Sequence, residues 1–399
     1  METPQLDMPV RKERPTLAAI ADKGRKEKLG LTHYERFVRM ARKEYGITIP
    51  EDLQPLVDLE GSDLVSDNIL DTYLTSRNPG LASLCHSANP VYRSEYYAQR
   101  SMFSHALSFS RHKRVFLVEK GLTQRLLHTS IDKIDAQFVR APFESFYVSL
   151  PHNDELLIPN VLTGEHKVCG CYVYSSQVDG DTIHTRSSVN GGYLKASEKF
   201  GTRDLHLLKI LAVGQPKVDT GAGIEKDDAL FYAMFMFKDG SDLLQQVHEQ
   251  CLAHCLSAQD APYLESLMAF LTNLLLYISS PSATLERVTA KYAMVDKRAS
   301  DKERSKADIK NAGTSKISAI SIGAGLSVLA GMEGHYGETP LLNRAIGCPR
   351  WLVRGHWRAQ AFGSGRTQHR PQWIQPYEKG RGLGADVLAA REYVVHDNE

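Results

Sequence analysis

Apolar positions recur at helical spacing over the first hundred residues and at strand spacing beyond them. Leu17 to Lys28, Tyr34 to Tyr45 with Phe37, Met40 and Ala41 on one face, and Leu53 to Leu74 predict three helices. Gly24 weakens the first, and Gly46 and Pro50 punctuate the second. A further helix, Val91 to Arg111, is expected after the breaker Asn89-Pro90. Its Tyr92, Tyr96, Tyr97, Phe103 and Phe109 read as packing residues rather than as a stacking platform. From Val115 the period shortens. Val115 to Val118, Phe143 to Leu150, Leu205 to Val213 and Leu230 to Lys238 read as strands, with a helical turn at Leu122 to Leu127. Cys169 to Ser176 and Thr182 to Val189 flank Asp179-Gly180 and predict a hairpin. Strands following one another in hairpin fashion favour a largely antiparallel sheet over a doubly wound one. Two helices, Asp242 to Leu256 and Pro262 to Ile278, are expected to cover one face of it.

Past Pro281 the texture changes again. Glu286 to Lys316 mixes Lys and Arg with Asp and Glu and reads as an exposed helix or a mobile linker. Ile317 to Gly337 is small and Gly-rich, and Tyr393 to Val395 could form a last strand. The expected fold class is therefore α+β. A helical N-terminal region (1–112) precedes a core domain (113–280) with helices packed on one face of a mainly antiparallel sheet. A charged and Gly-rich linker (281–349) then leads to a C-terminal basic-aromatic hairpin (350–399).

The 399 residues are 42% hydrophobic and 24% charged, an ordinary globular composition with ample chain for a core. A net charge of +1 argues against an acidic DNA mimic and against bulk coating of nucleic acid, so electrostatic recognition must be local. The cysteines Cys85, Cys169, Cys171, Cys251, Cys255 and Cys348 are scattered and read as reduced thiols of a cytoplasmic protein. Residues 1–15 are polar, with no apolar run of a signal peptide. Leu264 to Ile278 is too short for a membrane span and reads as a buried helix, so no membrane partner is expected.

Candidate chemistry is sparse. His248, Cys251 and Cys255 share a helical face, with His254 nearby, and could offer ligands to zinc. No second ligand pair accompanies them, and buried core cysteines explain the pattern better. Cys169 and Cys171 sit two apart, hence on one face of a strand, which is not a redox spacing. Gly323-Ala324-Gly325 lacks the third glycine and the acidic residue of a dinucleotide loop, and Gly221-Ala222-Gly223 lacks the Lys-Ser/Thr of a phosphate loop. His152, Asp154 and Glu155 have no nucleophile beside them. The expectation is a protein with no catalytic centre, metal or cofactor.

The unusual stretch is Arg350 to Arg381. It carries six arginines and one lysine against Glu378, a local charge of +6 before histidines, interleaved with three tryptophans, Phe362 and Tyr377. Gly363-Ser364-Gly365 reads as a hairpin tip between the arms Trp351–Phe362 and Pro371–Tyr377. Arginines near aromatic rings suit recognition of RNA, of an acidic peptide or of a protein hot spot. Equally, the tryptophans could pack on the core while the arginines face water. His356 could act with His369 as acid and base in metal-free RNA cleavage, or simply fix the hairpin by a backbone contact.

The run Arg354-Gly355-His356-Trp357, the Gly-rich turn, and Trp373-Ile374-Gln375-Pro376 resemble the C-terminal signature of a phage- and plasmid-borne family. That family includes the second-named anti-CRISPR directed against type V-A effector nucleases. Ala141 to Pro151 and the apolar Leu274 to Ile278 are weaker echoes, and in order the three cover Val115 to the C-terminus. The resemblance implies a mobile-element binding protein that limits production of a type V effector in a bacterial cytoplasm, recognising the effector polypeptide as it is made and lowering its message. RNA or the translation machinery are further partners to consider. It implies a partner surface including Arg354, His356, Trp357, Arg358, Phe362, Arg366, Trp373 and Tyr377, with Gly355 and Pro376 structural. The loop Ala359 to His369 is this chain's own, and the N-terminal hundred residues carry no resemblance. An RNA-binding protein or metal-independent ribonuclease using the same hairpin, and a phage accessory or structural protein, are the alternatives.

Overall fold

The computed structural model describes residues 22–28, 32–60, 66–160, 164–186, 193–216, 229–254, 260–291, 318–328 and 351–379. Its centre is a mixed sheet. The strands are β1 (Asp22–Lys28), β2 (Arg114–Val118), a short β3 (Thr129–Ser130), β4 (Ser145–Ser149), β5 (Leu157–Asn160), β6 (Gly164–Asp179), β7 (His184–Arg186), β8 (Tyr193–Lys195), β9 (Asp204–Pro216) and β10 (Ala229–Phe237). They are followed by β11 (Leu285–Lys291), β12 (Ser318–Ile322), β13 (Trp351–Val353), β14 (Gly355–Phe362), β15 (Gln368–Ile374) and β16 (Tyr377–Lys379). The large sheet runs β1-β11-β12-β2-β4-β6-β9-β10, with β5 added beside β6. Its β4–β6–β9–β10 half is antiparallel, whereas β1–β11, β12–β2 and β2–β4 pair in parallel.

Both faces of this sheet are buried. Phe116, Val118, Phe146, Val148, Val173, Ile210 and Phe235 point one way, into α6 (Lys120–Leu127), α8 (Leu243–His254) and α9 (Ala261–Ser279). Val115, Tyr147, Tyr172, Leu211 and Val213 point the other way, into the N-terminal helices. These are α1 (Thr32–Met40), α2 (Gln54–Glu60), α3 (Asp67–Arg77), α4 (Pro79–Cys85) and α5 (Pro90–His112). Alternation is nearly invisible in such strands because each successive side chain meets a core. Helix α5 starts where sequence chemistry says it should: Asn89 Oδ1 accepts the Val91 N–H at 2.9 Å and Pro90 needs no donor partner. It stops at Lys113, whose left-handed backbone (φ 45°) closes the last turn. Helix α9 is long and apolar enough to cross a membrane, yet most of its surface is buried inside the protein.

The structure corrects several expectations. Asp22–Lys28, expected in a helix over Leu17 to Lys28, is a strand pairing with β11. Leu53 to Leu74 divides into α2 and α3, and α4 was not foreseen. The supposed linker 281–349 supplies β11 and β12, inner strands of the sheet. Ala319, Ile320, Ser321 and Ile322 are buried there, with Ile320 and Ile322 in the core beneath α9 and the small Ala319 on the opposite face. Asp179-Gly180 turns no hairpin between its flanking runs: β6 pairs with β4, β5 and β9, and the segment after it forms β7 and β8 with the short α7 (Ala196–Phe200). Cys169 and Cys171 lie on opposite faces, not one. The β6–β9 register shifts between Val168 and Gly170, so an extra residue at Cys169 reverses the alternation, and its Sγ meets the Val213 carbonyl at 3.1 Å.

Candidate partner-binding hairpin

Strands β14 and β15 form the hairpin predicted around Gly363–Gly365, with His356 opposite Ile374 and Phe362 opposite Gln368. Residues directly opposite share a face. One face therefore holds Gly355, Trp357, Ala359 and Ala361 with Trp373, Pro371 and His369. The other holds His356, Arg358, Gln360 and Phe362 with Ile374, Gln372, Arg370 and Gln368.

The first face is an anchor. Trp357 (3% exposed) and Trp373 (8%) enter the main core, stacked with centroids 6.1 Å apart, and Tyr277 of α9 meets Trp373 edge-on at 5.2 Å. Their polar atoms are both satisfied. Trp357 Nε1 donates to Asn273 Oδ1 at 2.7 Å, and Trp373 Nε1 donates to Thr129 Oγ1 at 3.1 Å. Asn273, fully buried on α9, spends its amide hydrogens on the carbonyls of Leu126 (3.1 Å) and Thr129 (2.8 Å). One side chain thus joins α6, β3, α9 and the hairpin, and a buried amide with donors and acceptor both engaged is costly to replace.

Gly355 and Pro376 close the base. The Gly355 N–H donates to the His128 carbonyl at 2.8 Å, and β14 pairs in parallel with β3 there. A Cβ at Gly355 would lie 2.6 Å from Pro376 Cδ and 2.8 Å from Thr129 Oγ1, so only glycine fits this approach. Arg125 donates to the carbonyls of Pro376 (3.3 Å) and Ser327 (3.2 Å), and burial pushes its guanidinium below its ordinary value. Val353 pairs with Tyr377 in the small β13–β16 sheet, where Tyr377 is half-buried. His128 beneath the base is pushed down by burial, with Glu155 opposing and Arg354 adding to the shift.

The second face meets solvent. His356, Arg358, Arg370, Gln372 and Gln368 are exposed, as are Arg354 and Arg366 beyond the paired strands. Arg358 donates to Gln372 Oε1 at 2.7 Å, and Arg370 lies over the Phe362 ring at 5.2 Å. The expected site residues therefore divide. Trp357 and Trp373 belong to the core with Gly355 and Pro376, while Arg354, His356, Arg358, Phe362 and Arg366 are presented outward. His356 and His369 fall on opposite faces and are not brought together. Asn273, Thr129 and Arg125, which fix the hairpin, carry no local sequence signal. They lie far away along the chain.

The other candidates are dispersed. His248 is exposed and bonds Glu265 at 2.7 Å, whereas Cys251 is buried; Cys255 and the side chain of His254 fall outside the described residues, as does Gly221-Ala222-Gly223. Asp154, held below its usual value by the Lys167 ammonium, and Glu155, 3.6 Å from His128, serve separate partners. Gly323 and Gly325 adopt left-handed conformations after β12, Gly323 against Leu122. Among the described residues no three His, Cys, Asp or Glu side chains are grouped to hold a metal.

The arrangement defines a class of protein: a mixed α+β domain that plugs a basic hairpin into its core by paired indoles and offers the reverse of that hairpin to solvent. Residues 116–377 match the AcrVA2-like family, described as the anti-CRISPR type V subtype A2 family, and the chain belongs to it. The crystal structure of AcrVA2 is similar at 12% identity, over 87% of this chain and 96% of that one, with a TM-score of 0.43. No curated protein matches the chain.

Proposed function

We propose that this protein inhibits type V-A CRISPR immunity in the cytoplasm of a bacterial host by limiting production of the effector nuclease. In this reading it recognises the effector polypeptide as it is made and lowers the effector's message. Membership of the anti-CRISPR family carries the reading. The geometry supports it in one respect: the matched span includes a hairpin held rigidly from behind, with Arg358, Arg370, His356 and Phe362 on its free face. Rigid presentation lowers the entropic cost of binding a partner.

The exposed arginines Arg354, Arg358, Arg366 and Arg370 also favour a second reading, RNA binding through the same face. Its ribonuclease version needs two acid–base groups converging on one phosphate, and His356 and His369 face apart. Co-expression with a type V effector, with effector protein and message both quantified, tests the first reading. The control is Arg358→Ala with Arg370→Ala, exposed positions that leave the anchor intact. Loss of both protein and message with the parent, restored by the double variant, is expected. Unchanged protein and message would overturn the reading, and RNA co-purifying with the parent in a salt-sensitive manner would favour the second.

A further inference from the structure

The face of the sheet turned toward the N-terminal helices carries a basic side chain, Lys209, among apolar rows. Tyr172, Leu211 and Tyr232 form one row across β6, β9 and β10, and Tyr174, Lys209 and Met234 form the next. The first row packs under α5, where His105 lies against Tyr172 and Tyr232 with centroids 6.3 and 6.1 Å away. Past the second row, Leu207 and Met236 pack with Ala196 and Phe200 of α7. Lys209 therefore stands at the seam between two apolar clusters, one covered by α5 and the other by α7.

Charged groups of α3 and α5 reach this seam. Arg100 bridges two carboxylates, Asp67 at 3.0 Å and Asp71 at 2.9 Å, and Asp71 also accepts the Tyr96 hydroxyl at 2.6 Å. Arg100 and Asp71 are thereby committed. Asp67 bonds Arg100 through Oδ2 alone, and its side chain is 47% exposed. The same two charges, Asp67 and Arg100, act on both Lys209 and Tyr232. Burial lowers the Lys209 ammonium below its ordinary value, with Asp67 opposing and Arg100 adding. Burial raises the Tyr232 hydroxyl, with Asp67 adding and Arg100 opposing.

Lys209 and Tyr232 are both partly buried, and among the described residues neither the ammonium nor the hydroxyl has a hydrogen-bond or ion-pair partner. Polar groups taken from water are ordinarily bonded, charged ones above all. The seam thus holds a free cation, a free hydroxyl and a carboxylate with an uncommitted oxygen, within each other's field and out of contact.

Their signs define what fits. Lys209 and Arg100 balance Asp67 and Asp71, so the cluster is neutral as it stands. An added anion on Lys209 would face two aspartates, and an added cation on Asp67 would face Lys209 and Arg100. A ligand with both charges on one carbon meets each group with its opposite.

We propose that this seam binds a free α-amino acid with an apolar side chain, its carboxylate on Lys209 and Tyr232, its ammonium on Asp67 and its side chain against Met234. A residue inside a polypeptide has neither charge and a chain terminus has only one, so the ligand is the free amino acid.

The test uses the full chain without any effector, so its failure is separate from failure of the anti-CRISPR reading. L-leucine, L-methionine and L-phenylalanine are each titrated by isothermal calorimetry. At least one should bind saturably. For L-phenylalanine the matched probes are 3-phenylpropanoate, which lacks the ammonium, and 2-phenylethylamine, which lacks the carboxylate; 4-methylpentanoate and isopentylamine serve for L-leucine, and 4-(methylthio)butanoate and 3-(methylthio)propylamine for L-methionine. Each one-charge probe should bind weaker by about tenfold or more than its parent. Lys209→Met and Asp67→Asn should each weaken amino-acid binding by a similar factor, with circular dichroism and thermal melts of the unliganded protein confirming the fold. The one-charge probes need no variant, so they decide the matter even where a substitution perturbs folding. Saturation by none of the three amino acids, one-charge probes binding as well as their parents, or unchanged affinity in a folded Lys209→Met variant would overturn the proposal.

Discussion

Replacing Asn273 with leucine tests how the hairpin is held. Leucine keeps the branching and the number of side-chain heavy atoms but is bulkier, so the change removes hydrogen bonds and leaves no cavity. Three are lost: from Trp357 Nε1, and to the carbonyls of Leu126 and Thr129. The groups lie behind a residue with no exposed surface, and of the three the Leu126 carbonyl keeps a contact with the His128 N–H. Each buried polar group left unpaired costs about 1–3 kcal/mol, and because neighbouring effects are not additive the expected sum is about 3–5 kcal/mol. Urea denaturation followed by tryptophan fluorescence measures it, with Arg358→Ala as the surface comparison expected to fall within about 0.5 kcal/mol of the parent. A loss below about 1 kcal/mol for Asn273→Leu would mean that water replaces the amide and that the network does not anchor the hairpin.

Gly355→Ala should destabilise by about 1–3 kcal/mol, since Pro376 and Thr129 must retreat from the new methyl, and thermal melts read this directly. His105 should make stability fall with acid. Burial lowers its pKa from 6.5 to about 4, so between those values the unfolded chain binds more protons. Stability is full above pH 6.5 and declines by about 3 kcal/mol as the pH falls to 4, a slope that His105→Gln should flatten in urea titrations across that range. Gln250→Leu should cost about 1–3 kcal/mol by removing the amide that bonds the Met236 N–H and carbonyl, and hydrogen exchange should show faster exchange at the Met236 amide.

The sequence made the hairpin tip and the long elements readable because their signals are local. Asn89-Pro90, Gly363-Ser364-Gly365 and the apolar run of α9 each act through their own backbone. What stayed hidden depends on distant partners. Ser318–Ile322 reads as the start of a small, Gly-rich stretch of linker until β11 and β2 flank it. Cys169 reverses its side because of a register shift that only the β6–β9 ladder reveals. The tryptophans illustrate the limit most plainly. Trp357 and Arg358 are neighbours in a basic-aromatic run, but strand alternation sends one into the core and the other into water. Which face is which was decided by Asn273 and Thr129, residues with no mark in the sequence.

The most direct measurement is plasmid interference in a bacterial strain carrying a type V-A system. Targeted-plasmid transformation would be scored with the parent protein, with Arg358→Ala/Arg370→Ala, and with an empty vector. The account predicts that the parent restores transformation to the level of an untargeted plasmid. It also predicts that the double variant, present at equal abundance, does so far less. Full inhibition by the double variant would contradict the hairpin face as the working surface, and no inhibition by the parent would contradict the anti-CRISPR role against that effector.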